Sequence, residues 1–214
     1  MSAALAFAPC WACPAVLLVD DGGVGDIVLV RHGQTEWSAT GRHTSVTDLA
    51  LTVEGERQGR ALAKALAARA FRAVFCSPRL RALQTARLAG LTVSEVLGDL
   101  AEWDYGEDEG LTTEQIRARR PGWDMWRDGC HGGESPEQVG ARLDLVLDQV
   151  RPLLAEGDVA LVGHGHALRV AAARWIDLPP AAGSRLRLDT ATTSTLGHEH
   201  GREVILAWNA PTSL

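Results

Sequence analysis

Lysine is all but absent from this 214-residue chain: Lys64 is the only one, so the basic charge is carried by arginine. Arginine's planar fork suits bidentate binding of oxyanions, although a bias this uniform is read as genomic base composition rather than as a functional choice. Acidic residues outnumber basic ones and leave a formal net charge of -6. That balance argues against nucleic-acid and membrane-surface partners, either of which would need a basic face. Cysteine is scarce too. Cys10, Cys13, Cys76 and Cys130 make no disulfide framework in a chain of this length, and they are read as reduced thiols of a cytoplasmic protein. Cys10 and Cys13 form a CxxC, with no second CxxC to complete a zinc site. No Lys or Arg precedes Arg31, so the basic region of a secretory signal is missing, and no apolar run reaches membrane-spanning length. Residues 1–25 are therefore expected to be an N-terminal extension outside the fold, and residues 26–214 one domain with a sizeable core.

Three short apolar runs stand out: "IVLVRH" from Ile27, "AVFCSPR" from Ala73 and "VALVGHG" from Val159. Each has the near-continuous apolar character of a strand covered on both faces. Helical patterns lie between them. One is expected from Val53 to Ala70, led by Thr52; a second from Arg79 to Ala89, with Leu80, Leu83, Ala86 and Ala89 as its apolar stripe; a third over His166–Trp175. "ESPEQVGARLDLVLDQV" opens with Ser135 as N-cap, Pro136 at the first helical position and Gln138 completing a capping box ahead of Val139, Leu143, Val146 and Val150. "SRLRLDTATTSTL" and "REVILAW" read as two further strands near the C-terminus. Strands alternating with helices predict a three-layer α/β/α domain with a mostly parallel central sheet.

In such a sheet, ligands bind outside the carboxyl ends of the strands. Arg31 with His32, Arg79 with Arg81, and His164 all fall just after a strand's carboxyl end, so three segments deliver Arg and His to one rim. Any one of them alone reads as a solvated loop residue. Together they form a pocket for a doubly charged oxyanion, with phosphate the obvious tenant. Gly33 and Gly165 follow two of these strands, where a missing Cβ would let backbone approach the ligand closely.

"RHGQTEW", "SPRLRALQTA", "EWDYGEDEG" and "GHGHALR" together resemble the four motifs of the histidine phosphatase superfamily, which includes phosphoglycerate mutases, in the family's order. The resemblance runs from about Asp26 to the C-terminus and implies a phosphoglycerate mutase-like fold. It implies that His32 is the nucleophile that becomes phosphohistidine. Arg31, Arg81 and His164 would hold the phosphoryl oxygens, Arg81 being preferred to Arg79 because the family's arginine directly precedes Ala. Glu102 would protonate the leaving oxygen and then activate water. Gln34, Ser38, Thr44, Ser45, Tyr105 and Gly165 are the implied substrate-binding positions. No cofactor and no metal are implied. The alternate pairs His164/His166 and His198/His200 are accordingly not read as metal ligands, and Trp123 and Trp126 are read as packing residues.

Within that family, mutases return the phosphoryl group to a second hydroxyl and phosphatases give it to water. Several features depart from the mutase pattern: no lysine follows Lys64, Asp128 follows Arg127 where mutases have two arginines, and Ser38 stands where they carry asparagine. "GRHTSVTDLALT" and "WRDGCHGGES" resemble instead the actinobacterial acid phosphatases and the fungal sedoheptulose-1,7-bisphosphatases. The expectation is a phosphomonoesterase acting on a small phosphate ester with an acidic optimum. A cofactor-dependent phosphoglycerate mutase and a phosphate-binding pseudoenzyme are the alternatives, and a homodimer is left open.

Overall fold

The structure is a computed structural model that describes residues 24–212. The readings placed on residues 1–23, including the CxxC, lie outside the described residues. In chain order the elements are β1 (Ile27–Arg31), α1 (Glu36–Ala39), α2 (Val53–Leu66), β2 (Phe71–Cys76), α3 (Leu80–Leu88), β3 (Glu95–Val96), α4 (Thr113–Arg119), α5 (Met125–Asp128), α6 (Pro136–Val150), β4 (Asp158–Gly163), α7 (Gly165–Trp175), β5 (Thr193–Glu199) and β6 (Arg202–Ala210). The strands form one sheet in the order β3-β2-β4-β1-β5-β6. β1, β2, β3 and β4 pair in parallel, whereas β5 is antiparallel to both of its neighbours.

Alternation of side chains along each strand divides the apolar runs between two cores. Ile27 and Leu29 of β1 and Val159 and Leu161 of β4 join Leu143 and Val146 of α6 and Leu168 and Trp175 of α7 on one face. Val28, Val30, Ala160 and Val162 point the other way, against Leu62 and Leu66 of α2 and Ala82 and Ala86 of α3. This is the expected three-layer sandwich. The central strands are apolar throughout because neither face meets water.

The caps sit where the residue types put them. The Thr52 hydroxyl accepts from Gly55 N at 3.0 Å, and Ser135 and Gln138 exchange the two bonds of a capping box. Three expectations are corrected. α2 ends at Leu66 rather than Ala70, because the next residues must turn into β2 and Arg69 folds back to pair with Asp158 at 2.6 Å. In α3, Leu80 is 38% exposed and the buried positions are Arg81, Ala82, Thr85 and Ala86. That helix turns polar groups inward at its start to serve the strand ends. The stretch from Ser184 to Thr192 is not strand: a 3-10 turn covers Pro180–Arg185, and β5 begins only at Thr193. Its backbone groups are drawn to β1 instead, with Thr192 O accepting from Arg31 N and Ala191 N donating to Arg31 O and His32 O.

No helix among the described residues is long and apolar enough to cross a membrane. Cys76 and Cys130 are buried and unpaired. Burial pushes both thiols up to about 12, so neither is a ready nucleophile.

Candidate active site

The carboxyl ends of β1 and β4 lie side by side, with Arg31 in register with Gly163. A cavity of about 230 Å³ opens above them, lined among others by Arg31, His32, Glu102, Tyr105 and Gly165. That is smaller than the roughly 300–1,000 Å³ of pockets for drug-sized ligands. It is a space for a small molecule.

His32 is 5% exposed and makes one defining contact, Nδ1 to the Gly33 carbonyl at 2.7 Å. A carbonyl oxygen only accepts, so Nδ1 carries the proton. Burial, then the positive charges of Arg31 and Arg81, hold this ring well below the usual histidine value. The ring is therefore neutral at pH 7, and its Nε2 presents a free lone pair.

Arg31 donates through Nη1 to the carbonyl of Leu188, while its Nε is buried with no hydrogen-bond partner among the described residues. A buried N–H left unsatisfied costs about 1–3 kcal/mol, and beside a cavity such a group is a donor kept for a ligand. Behind His32 lie Arg81 and His164, both fully buried. Arg81 donates Nε to His164 Nδ1 at 3.2 Å and its terminal nitrogens to the carbonyls of Thr44, Ser45 and Thr47. Because His164 Nδ1 accepts, its Nε2 carries the proton and donates to Ser77 Oγ at 2.7 Å. Burial and then the Arg81 charge push the His164 ring well down. The two histidine rings are 5.1 Å apart.

Glu102 is 8% exposed, and its carboxylate accepts three backbone N–H groups: Trp103 at 2.9 Å, His166 at 3.1 Å and Ala167 at 2.8 Å. Two of these belong to the first turn of α7, where the helix dipole favours negative charge. Tyr105 Oη stands 2.6 Å from His166 Nδ1. Burial pushes that phenol well up and that imidazole well down. The pair is thus a hydrogen bond between two neutral groups.

Of the positions expected from sequence, Arg31, His32, Ser38, Thr44, Glu102, Tyr105 and Gly165 line the cavity. Arg81 and His164 back it. Gln34 and Ser45 are employed elsewhere: Gln34 Oε1 accepts from Thr52 Oγ1 at 2.9 Å, and Ser45 donates its N–H and hydroxyl to Glu109. Gly33 is glycine for a packing reason rather than a ligand, since a Cβ there would lie 2.4 Å from the Gly55 carbonyl. A Cβ on Gly165 would lie 3.2 Å from the Arg31 guanidinium carbon, so this glycine seats the arginine.

Sequence reasoning passed over Arg42, His43, Thr113, His166 and Arg169, all of which line the cavity. The spacing held a signal for one of them, because Arg169 lies one helical turn after Gly165. Trp126 is more than packing, for it carries the Arg169 guanidinium on its face at 4.5 Å. Arg127, in the segment where mutases clamp substrate, is paired with its neighbour Asp128 and does not line the cavity. Among the described residues no group of three or more His, Cys, Asp or Glu is placed to hold a metal ion.

Comparison with known proteins points one way. The sequence profile of the histidine phosphatase superfamily (branch 1) matches residues 27–211. An acid phosphatase of Mycobacterium tuberculosis is 47% identical over 177 residues, 82% of this chain and 87% of that protein. The sedoheptulose 1,7-bisphosphatase of Saccharomyces cerevisiae is 38% identical over 186 residues, 71% of this chain and 67% of the yeast protein. A solved structure of a Mycobacterium tuberculosis open reading frame product superposes with a TM-score of 0.86 at 43% identity, covering 88% of this chain and 99% of that one.

Proposed function

The chain belongs to the histidine phosphatase superfamily, and on that premise we propose that it hydrolyses small phosphate monoesters through a phosphohistidine formed at His32. The observation that carries this reading is the His32 ring itself. It is neutral, pinned through Nδ1, and open at Nε2 beside the orphaned Nε–H of Arg31.

A bound monoester sets its phosphorus before His32 Nε2. Its oxygens are received by Arg31, by the N-terminus of α7 at Gly165, and by Arg81 and His164, the last exchanging its Ser77 bond for one to phosphate. The Nε2 lone pair forms the P–N bond as the P–O ester bond breaks, and Glu102, whose carboxylate has taken up the proton carried by the ester monoanion, passes that proton to the leaving oxygen. Glu102 then takes a proton from water, whose oxygen attacks phosphorus, breaks the P–N bond and returns neutral His32, and the proton leaves with inorganic phosphate. Two arginines and a helix terminus, fixed before substrate arrives, place positive charge where the transition state collects negative charge. Arg127 is taken up by Asp128 and holds no substrate group, so this segment does not reproduce the mutase arrangement. Two buried free thiols suit a reducing, cytoplasmic compartment.

The test is to quench turnover of a phosphorus-labelled monoester in alkali, which preserves the P–N bond, and locate the label. We expect it on His32, with His32→Ala losing label and turnover by on the order of a thousandfold or more. Wild-type-like turnover in that variant would overturn the covalent route. With 3-phosphoglycerate plus its bisphosphate primer, phosphate release should outrun isomerisation, and the reverse order would make the chain a mutase.

A further inference from the structure

We infer that the cavity contains a second anion subsite, built on Arg42 and Arg169, so that the preferred substrate is a small phosphate monoester bearing another phosphate or a carboxylate on its leaving side. This rests on hydrolysis at His32 as proposed above.

The charges lining the cavity do not balance for a simple ester. Three arginines, Arg31, Arg42 and Arg169, face a single carboxylate, Glu102. The three lining histidines, His32, His43 and His166, are held below their usual value first of all by burial and contribute no charge at pH 7. The transferred phosphoryl group uses Arg31, with Arg81 behind it. Arg42 and Arg169 are left over, in a molecule whose overall charge is -6. A small cavity with unneutralised positive charge in an acidic protein concentrates its field on an anionic guest.

The two leftover arginines are built differently. Arg42 is exposed, and its side chain has no hydrogen-bond or ion-pair partner among the described residues. Its backbone bridges to Thr112. Thr113 also lines the cavity, with its Oγ1 3.2 Å from His43 Nε2, and the Thr44 hydroxyl donates to the Arg42 carbonyl at 3.2 Å, which ties the Arg42 backbone to the cavity wall. Arg169 is fixed in advance. Its Nε donates to Gly183 O at 2.9 Å, its Nη2 to Ser184 O at 3.0 Å, and its plane lies on Trp126. Its Nη1 is left without a partner among the described residues. Burial is the main influence on its pKa, downward, with Glu102 opposing, and a guanidinium keeps its charge through such a shift. A fixed cation and an unpartnered one, on the cavity that holds the nucleophile, form a clamp for an anion a few bonds from the scissile ester.

Three esters with the same three-carbon frame test this: propyl phosphate, 3-phosphooxypropanoate and propane-1,3-diol bisphosphate. We expect at least one anionic-tailed ester to exceed propyl phosphate in kcat/KM by about tenfold or more, the advantage shrinking with added salt. Arg42→Gln and Arg169→Gln should each bring the ratio toward one. Partial unfolding lowers all three rates together and leaves the ratio alone. The ordering of the two anionic arms tells carboxylate from phosphate. Equal rates on the three esters, or a wild-type ratio kept in both variants, would overturn the subsite. Calorimetric binding of the same esters to His32→Ala reads the preference without turnover, so a failure of the hydrolytic reading is told apart from a failure of this one.

Discussion

Replacing Glu102 by glutamine keeps an acceptor for the backbone N–H groups of Trp103 and Ala167, turns an NH2 toward that of His166, and removes the proton transfer proposed for this side chain. Alkyl phosphates, whose leaving oxygens need protonation, should then slow by roughly 10²–10⁴. Aryl phosphates, whose leaving groups need little help, should lose far less, and equal losses would mark Glu102 as structural. Arg81→Ala should lower both turnover and melting temperature more than Arg79→Ala. The first strips four acceptors of their donor, while Arg79 makes only a long contact to the Val46 carbonyl at 3.4 Å. The reverse order would shift the motif by two residues. At this scale the sequence spoke clearly wherever chemistry and motif coincide, as at His32 and Glu102. It was silent on Arg42, because a cation on a loop reads as solvated until the fold shows which cavity it joins.

Thr85 ties one element to another. Its hydroxyl accepts from Gly33 N at 3.0 Å and donates to Arg81 O at 2.7 Å, so α3 holds the turn that carries His32. Thr85→Val keeps the shape and leaves the Gly33 N–H buried without an acceptor. A loss of about 1–3 kcal/mol is expected in denaturant unfolding, together with slower turnover; an unchanged midpoint would show that water replaces the hydroxyl. At α6, Ser135→Ala should cost about 1 kcal/mol through the lost capping box. Strand and helix positions were readable because burial repeats every two residues along a strand and every three to four along a helix. The inward face of α3 was not, since apolar periodicity cannot anticipate an arginine and a threonine buried to serve a neighbouring strand end. Nor was the loop before β5, whose hydrogen bonds go to Arg31 and His32 rather than along a ladder.

For the whole molecule, His32, His43, His164 and His166 share one property: burial above all holds each below the usual 6.5. Below that pH the unfolded chain binds protons that the native state refuses. Stability is therefore fully present well above pH 6.5 and falls as the pH drops, by up to about 1.4 kcal/mol per pH unit for each histidine. Melting measured at pH 7.5, 6.5 and 5.5 should fall by only about 3–4 °C over the first step and by roughly 10 °C over the second. A flat profile throughout would mean that these rings are not buried neutral. The same refusal keeps the His32 lone pair available in mild acid, so the acid limb of activity should follow unfolding rather than titration of His32.

The order of the strands also governs when the enzyme comes into being during its own synthesis. β1, which carries Arg31 and leads into His32, leaves the ribosome first among the described strands, yet its neighbours in the sheet are β4 and β5, among the last. A chain halted before Thr193 already contains His32, Arg81, Glu102 and His164, but it lacks the strand that closes over β1. Until then the newborn chain carries an apolar strand with open hydrogen-bonding edges, the sort of segment that sticks to other chains or calls on a chaperone.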